Sequence, residues 1–338
     1  MYKRAMSSAP AKNSYTFSLT PAQQDRLIAL LNGGSFRPME VPHTRVAVQG
    51  PSVNINLYTS GKCVVQGKGA TDWVTFTLEP EVIGEARLGY EDVHDPTVSQ
   101  PHMGIDESGK GDFFGPLVIA AAYVDAAIVE QFRAMQVRDS KTITSDKVAE
   151  GMAEKIIEIL GKRYAIVTIG PAAYNKMYSR MKNVNVLLAW GHARAIENLL
   201  EQVPDCPRAL SDQFGPAHRI EKALMEKGQR IKLDQRPKAE SDPAVAAASI
   251  LARAGFLRAM RAMGQKYGVT IPKGASAHVR QVAADLVKQH GPGVLMQTCK
   301  GHFRTADEVL KQTGHSRIEV PELPEPNPTP FVRRRSSK

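Results

Sequence analysis

The chain begins with a short alternation, YTFSLT at 15–20, in which apolar and polar positions exchange at the period of two expected of a half-exposed strand. Pro21 follows, a residue suited to the first turn of a helix. The apolar spacing carries that helix to about Leu31, and Asn32-Gly33-Gly34 ends it. Three further runs read as strands: HTRVAVQG (43–50), SVNINLYT (52–59) and KCVVQG (62–67), with turns at Gly50-Pro51 and Ser60-Gly61. With a second helix in the seventies, these elements predict a small α+β domain over 1–87 built on a short, curved antiparallel sheet. Residues 88–102 keep no period, contain Pro96 and Pro101, and read as a linker.

From Met103 the pattern changes to strands alternating with helices. Leu117–Val124 (LVIAAAYV) is a strongly apolar strand, and Ser145 is placed to cap a helix whose apolar face includes Val148, Met152, Ile156 and Leu160. Tyr164–Ile169 reads as a strand, Pro171–Met181 and Val184–Gln202 as helices, the second with Leu188, Ala195 and Leu199 on one side. Ala209–Asp212 is a short strand ending in a carboxylate, and Arg230–Leu233 is another. Pro243–Met263 is a helix rich in small residues, suited to close packing on a sheet. The fold class expected for 103–316 is therefore α/β, a mixed sheet flanked by helices. The tail, 317–338, holds five prolines and Arg333-Arg334-Arg335, and disorder is expected there.

Composition narrows the class. No apolar stretch approaches the roughly 18–20 residues that span a bilayer, so no membrane partner is expected. Cys63, Cys206 and Cys299 are odd in number and far apart, which fits free thiols in a reducing cytoplasm and neither a disulfide framework nor a zinc cluster. The net charge of +10 is uneven: residues 1–70 carry eight Lys/Arg against Asp25 and Glu40, while 71–95 carry seven acids against Arg87. Two basic bodies separated by an acidic stretch suit a polyanionic partner such as nucleic acid, since each neutralised phosphate releases condensed counterions.

The candidate chemistry lies in carboxylates at strand ends. Asp106 and Glu107 adjoin the loop Gly109-Lys110-Gly111, Asp212 ends a later strand, and Glu240 precedes the helix that starts near Pro243. Oxygen ligands suit Mg²⁺ and Mn²⁺, and strand ends along one sheet edge bring acids distant in sequence together. Adjacent residues of a regular strand face opposite sides, so Glu107 is expected past the strand end, where the glycine loop begins.

The blocks GIDESGKGDFFGPLVIAAAYV (104–124), DSK (139–141), KAESDPAVAAASILAR (238–253) and GHFRTAD (301–307) resemble the type 2 ribonuclease H family, and within it ribonuclease HIII. YNKMYSRMKNVNVLLAWGHARAIENLL (174–200) and SDQF (211–214) join the resemblance, and YTSGKCVVQGKGA (58–70) resembles that family's TATA-binding-protein-like substrate-binding domain. The resemblance implies an endonuclease that hydrolyses the RNA strand of RNA/DNA hybrids with Mg²⁺ or Mn²⁺, leaving 5′-phosphate and 3′-hydroxyl ends. It implies Asp106, Glu107, Asp212 and Glu240 as catalytic metal ligands. Ser108, Gly109, Lys110 and Gly111, together with Ser140 and Lys141, would contact substrate, and Tyr58, Lys62, Gln66 and Lys68 would form the face of the N-terminal domain that binds the hybrid. Asp234 and Asp242 neighbour Glu240 without fitting the motif register and read as structural, as does His192 within its helix; His102, His278 and His302 read as surface histidines. A monomer without an obligate protein partner is expected. A non-catalytic nucleic-acid binder, and a nuclease that incises at single ribonucleotides in duplex DNA, are the competing readings.

Overall fold

The computed structural model describes residues 13–84, 96–137, 143, 145–212, 218–224, 228–236 and 239–326. It divides into two units, residues 1–97 and 98–338.

In the first unit, β1 (Ser14–Ser18) leads into α1 (Pro21–Gly33), whose N-terminus is closed by a capping box between Thr20 and Gln23. Then come β2 (Arg37–Pro38), β3 (Thr44–Gln49), β4 (Asn54–Tyr58) and β5 (Lys62–Gln66). All neighbours are antiparallel, in the order β1-β5-β4-β3-β2. The short edge strand β2 carried too little pattern to be expected. The helix expected in the seventies is α2 (Ala70–Trp73), which widens into a π-helical stretch, Val74–Ile83, containing Pro80. Leu27, Leu31, Ile55, Leu57, Val65, Val74 and Leu78 form the core on one face of the sheet. The other face presents Ser14, Thr16 and Ser18 beside Lys62, Val64 and Gln66, and these beside Asn54, Asn56 and Tyr58.

In the second unit, β6 (His102–Ser108) and β7 (Leu117–Val124) form an antiparallel pair, followed by α3 (Ala126–Ala134), α4 (Asp146–Leu160) and β8 (Tyr164–Ile169). Then follow α5 (Pro171–Met181), α6 (Val184–Leu200), β9 (Arg208–Asp212), α7 (His218–Ala223), β10 (Lys232–Arg236) and α8 (Pro243–Tyr267). The chain closes with α9 (Ala277–His290), α10 (Val294–Thr298) and α11 (Arg304–Gln312). The sheet order is β10-β9-β6-β7-β8, with β10, β9 and β6 parallel and β7 and β8 antiparallel to their neighbours. This is the mixed, helix-flanked α/β sheet expected from the pattern.

Two cores cover the two faces of this sheet. On one, α8 presents Ala244, Ala247, Ala248 and Leu251 to Val118, Ala120 and Ala122; on the other, α6 presents Leu188, Ala195 and Leu199 to Ile105, Ile119 and Ala121. The small residues of α8 let it approach closely. A Cβ at Gly104 would lie 2.1 Å from the Val245 nitrogen and 2.3 Å from the Ala244 carbonyl carbon, so only glycine fits.

Several expectations need correction. By length and composition α8 could cross a membrane, but its apolar side chains are mostly covered by the protein. The face of α4 turned to the core is Ala149, Ala153, Ile156 and Leu160, whereas Val148 is exposed. The expected linker reaches too far: Val98 packs in a core and His102 already belongs to β6. The tail begins later than expected. Val320 and Leu323 are buried, and Arg317 donates to Asp307 and to the carbonyls of Gly301, Leu323 and Pro324. Residues 85–95 of the linker region and 327–338 of the tail lie outside the described residues.

Candidate active site

The strand β6 outruns its parallel neighbour. Pairing with β9 runs from Met103↔Ala209 to Ile105↔Ser211, while pairing with β7 continues to Ser108↔Val118. One step further along the same register sets Asp106 beside Asp212. Glu107 is not past the strand end, as expected, but within the ladder opposite Ile119. Asp106 and Glu107 therefore leave opposite faces of the sheet. Both line one pocket, and among the described residues no pairing of β6 with β9 continues beyond Ile105. That pocket, about 400 Å³, is lined by Asp106, Glu107, Ser108, Gly109, Lys110, Gly111, Asp212, Ser249 and Arg253.

The two faces hold their carboxylates differently. Asp106 accepts the amide N–H of Glu107 at 2.8 Å and is hydrogen-bonded to Ser249 of α8. Burial, followed by the charge of Glu107, pushes its pKa up to about 6; the Ser249 and amide hydrogen bonds and His192 pull the other way. On the α6 face, burial would also raise Glu107, but a hydrogen bond and charge from His192, with Lys110 in support, hold it below the usual range. His192 Nε2 lies 3.0 Å from Glu107 Oε2, and Lys110 Nζ 3.7 Å from Oε1. The other ring nitrogen of His192 meets Ser211 Oγ at 3.2 Å, and that hydroxyl donates to the Asp212 carbonyl. One buried histidine thus links the two acid-bearing strands.

Asp212 Oδ1 accepts the Ala239 N–H at 3.2 Å. Glu240 follows in the short 3₁₀ turn Ala239–Ser241; it is half-buried and does not line the pocket. Asp242 is structural, as expected. It caps α8 through the amides of Ala244 and Val245 and accepts from His102 Nε2 at 3.0 Å. Asp234 pairs with Lys232. His102 and His302 are not surface groups but buried, whereas His278 is exposed. Ser140 and Lys141 lie outside the described residues. Lys62, Gln66 and Lys68 are exposed and Tyr58 half-buried in the first unit.

The donor chemistry fits a hard divalent cation. Asp106, Glu107 and Asp212 bring only oxygen to the pocket, and the two charges crowded at Asp106 would be relieved by a cation. Among the described residues, no three His, Cys, Asp or Glu side chains stand close enough to hold one ion. Asp212 is turned to the Ala239 amide and Glu107 to His192. Sequence reasoning missed Ser249 and Arg253, both inside the quoted block 238–253, and assigned His192 a structural role; their spacing on helices showed burial without showing what they touch.

A family model described as ribonuclease HII matches residues 103–306. Ribonuclease HIII of Protochlamydia amoebophila (strain UWE25) is 38% identical, over 91% of this chain and 100% of its own length. The chain belongs to the ribonuclease HIII family. Ribonuclease HIII of Chlamydia pneumoniae is likewise 38% identical, over 87% of this chain and 97% of its own. Among solved structures, Bst-RNase HIII in complex with Mn²⁺ aligns with a TM-score of 0.62 at 28% identity, covering 89% of this chain and 99% of that one. Ribonuclease H2 from Pyrococcus horikoshii shares the fold, with a TM-score of 0.53 at 23% identity over 64% of this chain and all of that one. The chain is a ribonuclease H, an endonuclease of a family that cleaves the RNA of RNA/DNA hybrids.

Proposed function

We propose that this chain hydrolyses the RNA strand of hybrids at the pocket around Asp106, using Mg²⁺ or Mn²⁺ and leaving 5′-phosphate and 3′-hydroxyl ends. The observation that carries this reading is the convergence of Asp106, Glu107 and Asp212 with the loop Ser108–Gly111 on one pocket. Asp106 and Asp212 would hold the cations, with Glu107 and Glu240 completing the ligand set. Such ions, when bound, would supply the Lewis acidity that phosphodiester hydrolysis needs.

The chain's own groups do the rest. Ser249 and the Glu107 amide fix the Asp106 carboxylate, so no rotamer search precedes ligation. Lys110 and Arg253 bring positive charge to the wall of the pocket, where the phosphates of the scissile strand would lie. Gly109 has φ +89°, and a Cβ there would meet the Pro116 carbonyl at 2.3 Å; at Gly111 no described residue lies within 4 Å of such an atom. The loop can therefore turn tightly at Gly109 and offer bare backbone at Gly111. That suits contact with a ribose 2′-hydroxyl, the group that distinguishes RNA from DNA.

The first unit would dock the hybrid. None of its five strands contains an acidic residue, and the open sheet face bearing Tyr58, Lys62 and Gln66 is polar. Tethering such a face to the catalytic unit raises the effective concentration of hybrid without demanding tight binding from either. A monomer in the reducing cytoplasm completes the reading, supported by three free, buried cysteines.

The test is cleavage of three labelled substrates, with Mg²⁺ and with Mn²⁺: a long hybrid, a duplex with one ribonucleotide, and double-stranded RNA. Preferred cleavage of the long hybrid is expected. Binding without cleavage under both metals would sink the nuclease reading, and preference for the single ribonucleotide would move the substrate to duplex DNA. Removal of residues 1–97 is expected to weaken hybrid affinity while turnover at saturation changes little.

A further inference from the structure

Lys300 has no part in the chemistry described so far, yet it is fully buried. Lysine is almost never placed there without partners. Its Nζ donates to three main-chain carbonyls, those of Asp112 at 2.9 Å, Phe114 at 3.3 Å and Gly115 at 2.9 Å. Three acceptors match the three hydrogens of an ammonium. All three belong to the stretch that runs directly on from Gly109-Lys110-Gly111 and returns the chain to β7.

The same stretch is tied at other points. The Phe113 N–H donates to Gly274 O, the Gly115 N–H to Thr298 O and the Lys300 N–H to Phe113 O, and Phe114 forms a bridge with Cys299. The Gly274 N–H is hydrogen-bonded to Asp112 Oδ1. The base of Lys300 is itself fixed. Asn175 of α5 donates to the carbonyls of Met296 and Cys299 and accepts the Gly301 N–H, and Arg317 donates to Gly301 O. A continuous series of hydrogen bonds therefore runs from α5 and the C-terminal turn, through Lys300, to the loop that carries Lys110.

We propose that Lys300 is a positioning residue: its side chain holds the Asp112–Gly115 stretch in place and so sets Gly109-Lys110-Gly111 in the conformation that receives the substrate backbone. This rests on the reading that the loop contacts the hybrid. Burial strips an ammonium of its water, and a lysine kept for stability alone would be better replaced by an apolar side chain. What an apolar side chain cannot do is gather three carbonyls that all point inward. The surrounding groups agree with this role. Burial pushes the Lys300 amine down to about 7, the nearby charge of Asp112 works against that shift in favour of the ammonium, and the Tyr174 ring lies 5.7 Å from Nζ.

The test is a double-mutant cycle between Lys300→Met and Lys110→Ala, read as KM and kcat on a long hybrid. Lys300→Met is expected to raise KM by about tenfold or more with kcat within about threefold, because the loop is displaced while the carboxylates are not. If Lys300 acts through the loop, Lys110→Ala loses most of its own effect on KM in the Lys300→Met background. Effects that multiply independently would show Lys300 to be merely structural and overturn the proposal. Lys110→Ala leaving KM unchanged in the otherwise intact enzyme would remove the loop contact itself, a separate failure that takes the proposal with it. Should Lys300→Met not fold, amide hydrogen exchange on the unaltered enzyme decides. Protection of Phe113 and Gly115 without hybrid supports a preset loop, and protection only after hybrid is added overturns it.

Discussion

The two sides of β6 solve the same problem in opposite ways. On the α8 side, Asp106 has a serine hydroxyl and a backbone amide for partners, and burial pushes its pKa up to about 6. On the α6 side, Glu107 has a buried histidine and a lysine, and its pKa is held below the usual range. One carboxylate is left electrostatically wanting, and the other is already satisfied from within the chain. The difference teaches that adjacent acids in a metal pocket need not be equivalent donors. Asp106 gains most from an added cation, whereas Glu107 trades one positive neighbour for another.

The largest expected effect tests the needy side. Asp106→Asn should lower kcat on a hybrid by about a thousandfold while hybrid affinity holds, since it removes a ligand and not a phosphate contact. Undiminished turnover in a single-turnover assay would exclude Asp106 from the reaction.

Next comes stability against pH with divalent ions chelated. Because the folded pKa of Asp106 lies above its unfolded value, the folded chain binds more protons between about pH 4 and pH 6, and this group's contribution falls as pH rises through that window. Asp106→Asn should therefore stabilise the protein at pH 7 by up to about 3 kcal/mol, with the gain vanishing near pH 4. Glu107 has the opposite sign, its stabilisation being present above the unfolded value and lost as pH falls through the depressed folded one. Glu107→Gln should accordingly destabilise at pH 7. Denaturant melts of both variants across pH 4–8 that shift in the same direction would erase the contrast between the two sides.

A smaller effect concerns what holds Glu107. His192→Ala should weaken Mn²⁺ binding, measured by calorimetry without substrate, by about 10–100-fold, with partial recovery in His192→Gln. Smallest of all, Ser249→Ala should cost about 1 kcal/mol of stability, because the Asp106 carboxylate keeps its backbone amide bond. An Mn²⁺ affinity that responds more to Ser249→Ala than to His192→Ala would reverse the assignment of the two sides.

Much of this was legible in the sequence. Strand ends placed Asp106 and Asp212 in register, and the alternation in β1, β4 and β5 gave the first unit its sheet. The error at Glu107 had a specific cause. The period of two correctly put neighbouring residues on opposite faces, but nothing in one strand's sequence tells how far its neighbours pair with it, and β6 stays paired with β7 through Glu107 after its described pairing with β9 has ended at Ile105. His192 was read as structural for a related reason, since helical periodicity reports that a position is buried but not which strand lies against it. Lys300 carried no signal, because its partners are backbone carbonyls and leave no mark on side-chain pattern. The buried end of the chain was misjudged on its prolines, when Val320 and Leu323 are buried and Arg317 ties the turn to Asp307 and Gly301.

The contact at Gly104 bears on how this enzyme can vary. Any side chain there strikes the main chain of Ala244 and Val245, not their side chains. A smaller residue opposite cannot relieve the collision, because every residue has the same backbone. Loss of this glycine should thus have no suppressor at 244 or 245, and a genetic screen would have to move the whole helix. Since that helix also carries Ser249, little more than one turn on, and Arg253, about one turn further, to the pocket, an inherited change at 104 would reach the active site before selection could repair it.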